Sequence, residues 1–271
     1  MNEKVNGQPN AGKSKILDAR NISFSYDKER LVLNDITLDL YAGESFGIIG
    51  PNGCGKTTLL KILTGILPLG QGTVELYGRP LREYNKKQLA KLVGVVEQEG
   101  MREQIFTVEE VVAMGRYPWL KRFSNLTEYD YQIITEALAT FELWERREQS
   151  VARLSGGERQ LVSLGRVMAQ NPEILILDEP TTYLDIGNQQ LLMQHVRSWQ
   201  RDKNLTIIMV LHDLNLVAQF CDRLLLLNQQ GEIAASGTVN EVLTAANLEV
   251  AYGISPILIK HPKTGVPQIL V

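Results

Sequence analysis

Apolar and polar positions alternate with a period of two through the first segments of the chain. KILDARNISFSYD, starting at Lys15, and LVLNDITLDLYAG, starting at Leu31, both follow this pattern, as strands with one buried face do. Residues 16–80 therefore read as strands and turns. The pattern changes at Phe46-Gly47-Ile48-Ile49, an unbroken apolar run of the kind found where a strand is covered on both faces. A helix is expected from about Lys56 to a terminating glycine at Gly65. Residues 73–77 read as another strand after the turn at Gln71-Gly72. From 108 to 153 the chain is rich in Glu, Arg, Leu and Ala and punctuated by Pro118 and Asn125, which predicts an inserted helical subdomain. Residues 174–177 and 207–211 are apolar runs rich in β-branched side chains, each followed by polar helix-starting residues. That alternation predicts a parallel sheet with helices on both faces. Residues 240–271, with Gly253, Pro256, Pro262 and Pro267, read as a small tail.

Composition narrows the class. At 271 residues the length suits one large α/β domain with an inserted or appended subdomain. A 44% hydrophobic content can furnish a sizeable core. A net charge of −3 gives no nucleic-acid footprint. Cys54 and Cys221 show neither paired nor metal-ligand spacing, and His195, His212 and His261 are scattered; reduced thiols and no histidine metal site are expected. No apolar run approaches the roughly 20 residues that span a bilayer. Residues 1–15, MNEKVNGQPNAGKSK, are mostly polar and lack an apolar stretch, so a flexible tail is expected rather than a signal peptide, and a cytoplasmic location with it.

Candidate chemistry starts at Gly50-Pro51-Asn52-Gly53-Cys54-Gly55-Lys56-Thr57. This is a phosphate-binding loop, set between an apolar strand and a helix as that motif requires. Its glycines let backbone N–H groups turn inward around phosphates. The helix presents its positive end to the same anion. Lys56 would supply a full charge near the β- and γ-phosphates of ATP, and Thr57 an oxygen to Mg2+. Cys54 occupies a variable position and receives no redox role.

A second element is the strand Ile174-Leu175-Ile176-Leu177, which ends in Asp178-Glu179. Ligands of parallel sheets lie at the carboxyl ends of strands. Asp178 suits Mg2+ binding and Glu179 suits activation of an attacking water. Alone, the pair reads more simply as a strand ending in solvated acids; the phosphate loop earlier in the chain reverses that preference.

A third element, Leu154-Ser155-Gly156-Gly157-Glu158-Arg159-Gln160, opens a helix with a second anion-binding nest. One site needs only one such nest; two chains facing head to tail use both, each capping the ATP held by the other. Here the sequence resembles the ABC ATPase family, whose signature is LSGGQ-like, and the likeness extends from about residue 17 to 271.

The resemblance implies a phosphate-loop ABC ATPase fold of α/β class. Its parts are a mostly parallel sheet core, an N-terminal antiparallel β subdomain and an inserted helical subdomain. It implies a tail over 1–15, an ATPase domain over 16–250 with the helical subdomain at about 99–160, and a short extension over 251–271. It also implies further site residues. Tyr26 would stack on adenine, and Thr58 would join Lys56 and Thr57 on the phosphates. Gln98 would reach Mg2+ and water and link the helical subdomain to the core. Ser155, Gly156 and Gly157 would meet the ATP of a partner chain. Leu184-Asp185 would communicate across that dimer, and His212 would contact the γ-phosphate. Two departures stand out: Glu158 where many members carry Gln, and Tyr183 where small residues are common.

The expected activity is ATP hydrolysis with Mg2+, catalysed through Glu179, His212, Lys56 and Gln98. The expected setting is a homodimer of cassettes on the cytoplasmic face of the membrane, driving transmembrane permease subunits and, through them, a substrate-binding protein. The segment from Thr107 to Trp119, ending Gly115-Arg116-Tyr117-Pro118-Trp119, looks like that of importers for ferric siderophores, haem and cobalamin. Residues 181–186, Ala251-Tyr252-Gly253 and His261-Pro262 are also similar to that subfamily. An alternative is a soluble ABC ATPase of an assembly system such as iron–sulfur cluster biogenesis. A DNA-repair relative would need a long coiled coil before the signature, and the intervening residues hold no sustained heptads.

Overall fold

The computed structural model describes residues 13–27, 29–97, 105–121, 124–182 and 184–270. The chain divides into two compact units, one built from 1–83 with 214–271 and the other from 84–213.

The first unit opens with β1 (Lys15–Phe24) and β2 (Leu33–Tyr41), paired antiparallel. Their alternation has a break that shows why it folds this way. Leu17 and Ala19 are buried on β1 before the break, Ile22 and Phe24 after it. The phase slips at a register shift between Ala19 and Ile22, where Asn21 has φ 50° and Asp35 on β2 has φ 54°. Asn and Asp are the side chains that best tolerate this left-handed backbone. The Asn21 amide donates to Asp35 Oδ1 at 2.7 Å. The two displaced backbone N–H groups are taken by hydroxyls: Asn21 N–H by Thr37 and Asp35 N–H by Ser23, both at 3.0 Å. The bulge thus keeps both strands' apolar residues on one face.

β3 (Ser45–Ile49) follows, with all its residues buried, and leads into α1 (Lys56–Leu63). β4 (Gln71–Leu76) returns to pair with β1, and β5 (Arg79–Pro80) pairs with β4, for the order β2-β1-β4-β5.

The chain then builds the second unit. α2 (Lys86–Leu92) leads to β6 (Val93–Val96), followed by α3 (Val108–Ala113), a 3-10 turn over Met114–Trp119 and α4 (Glu128–Thr140). Next come α5 (Gly156–Gln170), β7 (Ile174–Asp178), α6 (Ile186–Lys203) and β8 (Thr206–Val210). β6, β7 and β8 are parallel neighbours, with β7 and β8 buried throughout. Helix starts are strongly written: α2, α3, α4 and α5 each begin with a reciprocal capping box, at Asn85/Gln88, Thr107/Glu110, Thr127/Asp130 and Ser155/Glu158. The helical insertion expected at about 99–160 falls within this unit.

The 3-10 turn is fixed by contacts distant in sequence. Arg116 pairs with Asp130 at 2.8 Å and donates to the Ala169 carbonyl, with both charged side chains under 8% exposed. Trp119 Nε1 donates to the Gln170 carbonyl at 2.8 Å. Gly115 packs so closely on α5 that a Cβ there would stand 2.0 Å from the Arg166 carbonyl oxygen.

The first unit resumes with α7 (Leu214–Phe220), β9 (Arg223–Leu227) and β10 (Ile233–Thr238). β9 runs parallel to β3 and antiparallel to β10. α8 (Val239–Val242) and α9 (Ala245–Tyr252) precede a hairpin of β11 (Ile257–Lys260) and β12 (Pro267–Leu270). Asn215 of α7 holds this hairpin by a reciprocal pair of hydrogen bonds with the Ile269 backbone, at 2.8 and 3.2 Å. The segment expected as a small tail thus carries regular structure.

Candidate functional site

In the first unit, β3 delivers the chain into the glycine-rich loop and α1 leads it out. Gly50, Gly53 and Gly55 have φ of 151°, 80° and 99°. At Gly55 a side chain would also collide, its Cβ 2.8 Å from the Val32 carbonyl oxygen, so glycine is required there twice over. α1 begins at Gly55 with no side-chain cap and no acidic residue in its first turn. The capping boxes of α2 to α5 make the contrast clear: α1 leaves its positive end to whatever the loop holds. Lys56, 5% exposed, folds back over the loop and donates to the carbonyls of Gly50 at 2.8 Å and Pro51 at 3.0 Å.

Tyr26 stands beside this helix start. The residue is 62% exposed, its ring meets Phe24 edge-on at 5.0 Å, and its hydroxyl lies 3.2 Å from Thr58 Oγ1. An exposed aromatic face anchored at the end of a phosphate loop suits stacking on a flat base. Gln229 Nε2 donates to the Asn52 carbonyl at 3.4 Å. Cys54 is buried, and burial pushes its thiol up against the pull of the Lys56 charge, which fits an inert side chain. One residue given no site role in the sequence reading joins the loop: the Tyr252 phenol accepts from the Gly50 backbone N–H, and burial pushes its pKa up to about 12.

The second unit gathers the acidic pair and the histidine. Asp178 ends β7 and is 8% exposed. Glu179 follows with φ 52°, a strained conformation for a non-glycine residue, and its N–H donates to the Val210 carbonyl at 3.0 Å. That backbone geometry aims its carboxylate at two partners. His212 Nε2 lies 2.7 Å from Oε1, and the Thr182 hydroxyl donates to Oε2 at 3.3 Å. The Thr182 contact went unread in the sequence, where only adjacency to the acidic strand could have signalled it.

The signature element lies in this unit too. Ser155 caps α5, its Oγ accepting from the Glu158 N–H at 3.3 Å while its own N–H donates to Glu158 Oε2 at 2.8 Å. Glu158 also pairs with Arg146. A Cβ on Gly156 would meet nothing within 4 Å, whereas one on Gly157 would stand 3.2 Å from Leu184 Cδ2. The signature and the Leu184-Asp185 loop are therefore neighbours. Asp185 caps α6 by accepting from the Asn188 N–H at 2.8 Å. Gln98 and Tyr183 lie outside the described residues. Among the described residues no helix is long and apolar enough to cross a membrane, and no cluster of three His, Cys, Asp or Glu could hold a metal.

A family profile described as ABC transporter matches residues 33–182. The hemin import ATP-binding protein HmuV of Thermobifida fusca is 39% identical over 255 residues, covering 94% of this chain and 88% of that protein. The ferric enterobactin transport ATP-binding protein FepC of Escherichia coli is 35% identical over 254 residues, covering 94% of this chain and 93% of that one. Among solved structures, a metal-chelate type ABC transporter in an inward-facing conformation superposes with a TM-score of 0.82 at 28% identity. It covers 95% of this chain and 97% of its own.

Proposed function

Because the chain belongs to the ABC transporter family, as an ATP-binding and ATP-hydrolysing subunit, we propose that it powers import of an iron chelate: a ferric siderophore, haem or a cobalamin-like complex. The observation that carries the substrate class is the near full-length likeness to a hemin and a ferric enterobactin transport protein. The subunit works with membrane permease subunits. A substrate-binding protein on the far side completes the system, and this chain sits as a pair on the cytoplasmic face.

In this reading Tyr26 stacks on adenine. Backbone groups of Gly50, Pro51, Asn52, Gly53, Cys54 and Gly55 cradle the phosphates, joined by Lys56, Thr57 and Thr58. The uncapped, acid-free start of α1 supports this assignment. Oxygens of Thr57, Asp178 and Gln98 are the hard donors that Mg2+ takes, and when bound the ion neutralises charge on the β- and γ-phosphates. Glu179 accepts the proton of the attacking water, held in place by His212 and Thr182; His212 also touches the γ-phosphate. Ser155, Gly156 and Gly157 of a second copy close over the same ATP, with Asp185 at the dimer seam. ATP then favours the closed pair because it contacts both copies only there. The domain division follows: an ATPase domain over 16–250 with a helical subdomain at about 99–160, whose part around Gln98 to Trp119 carries motion to the permease, and an extension over 251–271.

The test is an affinity purification of the tagged protein from detergent-solubilised membranes, with partners identified by mass spectrometry. Recovery of a polytopic permease, and of chelate-dependent ATPase stimulation once its binding protein is added, is the expected result. Recovery of soluble assembly proteins alone would overturn the importer reading and leave the ATPase chemistry intact.

A further inference from the structure

The second anion nest carries a charge of its own. Glu158 sits three residues into α5, its carboxylate on the Ser155 N–H at the mouth of the nest. The Ser155 N–H, first among several contacts, holds the Glu158 carboxyl below the usual range, so at neutral pH it is an anion. An anion at a helix start stabilises the isolated helix. It also opposes any second anion that approaches the same N–H groups, and a triphosphate is strongly anionic. A glutamine could close the same capping box without the charge. Opposite the nest, the other carboxylate oxygen of Glu158 is paired with Arg146, which stands in the short 3-10 turn Trp144–Arg146 before the signature.

We propose that Arg146 is a positioning residue for ATP capture. By pairing with Glu158 it cancels the negative charge at the nest and makes Ser155, Gly156 and Gly157 receptive to the phosphates of ATP held by a second copy. This rests on the reading in which that nest closes over a partner's ATP. Arg146 touches no reacting atom, so its removal affects the ATP concentration needed rather than the turnover reached. The pair is open to solvent, with side chains 50% and 27% exposed, so salt screens it.

The experiment measures steady-state ATPase of the full chain with its permease, for Arg146→Ala, Arg146→Lys, Glu158→Gln and the Arg146→Ala/Glu158→Gln double variant. Arg146→Ala should raise KM for ATP about two- to fivefold with kcat unchanged, and the deficit should shrink at high salt. Arg146→Lys, which keeps the charge, should retain the wild-type KM. The double variant should return KM to near wild type, because both charges leave together. An unchanged KM in Arg146→Ala overturns the proposal, as does a raised KM that Glu158→Gln fails to restore, which would mark Arg146 as merely structural. Ser155→Arg, which blocks the nest, separates the two levels. If it too leaves ATPase intact, the nest reading itself falls; if it abolishes ATPase while Arg146→Ala does nothing, only the role of Arg146 falls.

Discussion

His212 Nε2 lies 2.7 Å from Glu179 Oε1, and the Glu179 side chain is 12% exposed while that of His212 is 45% exposed. The carboxylate is thus held from its open side by a group that can itself reach outward. Thr182 fixes the second oxygen at 3.3 Å. A carboxylate held in this way is oriented to act as a base. Glu179→Gln is expected to lower ATP turnover about a hundredfold or more while leaving ATP binding intact. Steady-state hydrolysis beside nucleotide-binding titration checks this, and turnover at the wild-type rate would remove Glu179 from the base role.

Tyr252 ties α9 to the phosphate loop through the Gly50 N–H. Tyr252→Phe removes one neutral hydrogen bond, so KM for ATP should rise about two- to tenfold. The phenol's pKa is raised by burial from 10.0 to about 12. A raised folded-state pKa means its contribution to stability is whole below pH 10.0 and is lost as pH climbs towards 12. Alkaline unfolding followed by circular dichroism should therefore be shallower in Tyr252→Phe over that window.

The Arg116–Asp130 pair is buried, so breaking it leaves a charge without its partner. Arg116→Met should destabilise the second unit by about 3 kcal/mol or more, read by chemical denaturation. Burial alone would raise the Asp130 carboxyl, but the Thr127 hydroxyl and N–H together with Arg116 hold it below its ordinary 3.8. A depressed pKa contributes stability above 3.8 that is lost as pH falls further. Asp130→Asn should accordingly flatten the acid limb of the stability curve below pH 3.8.

Gly115→Ala places a methyl 2.0 Å from the Arg166 backbone oxygen, a neighbour that cannot swing aside. The expected cost is about 2 kcal/mol, visible as a lowered melting temperature. An unchanged melting temperature would mean that the 3-10 turn and α5 separate more easily than their packing indicates.

Much of this was legible because local pattern and local structure agree. The apolar runs at β3, β7 and β8 became buried strands, and the phosphate loop sits between strand and helix as its motif demands. Ser155 and Glu158 announce their own helix start. The unread features are those written by distant partners. Nothing near Met114 predicts a rigid 3-10 turn, since it is locked by Asp130, Ala169 and Gln170. The hairpin of β11 and β12 looked like a proline-studded tail because its strands are short and its anchor, Asn215, lies far upstream. Tyr252 could not be assigned to the loop from sequence, because only folding brings α9 to Gly50.

The backbone of Glu179 has a bearing on attempts to improve this protein. A non-glycine residue at φ 52° costs of order 1 kcal/mol in every molecule, resting or working. A selection for heat resistance alone would drift towards Asn or Gly at position 179, residues at ease in that conformation. It would recover a tougher protein that grips ATP and no longer spends it.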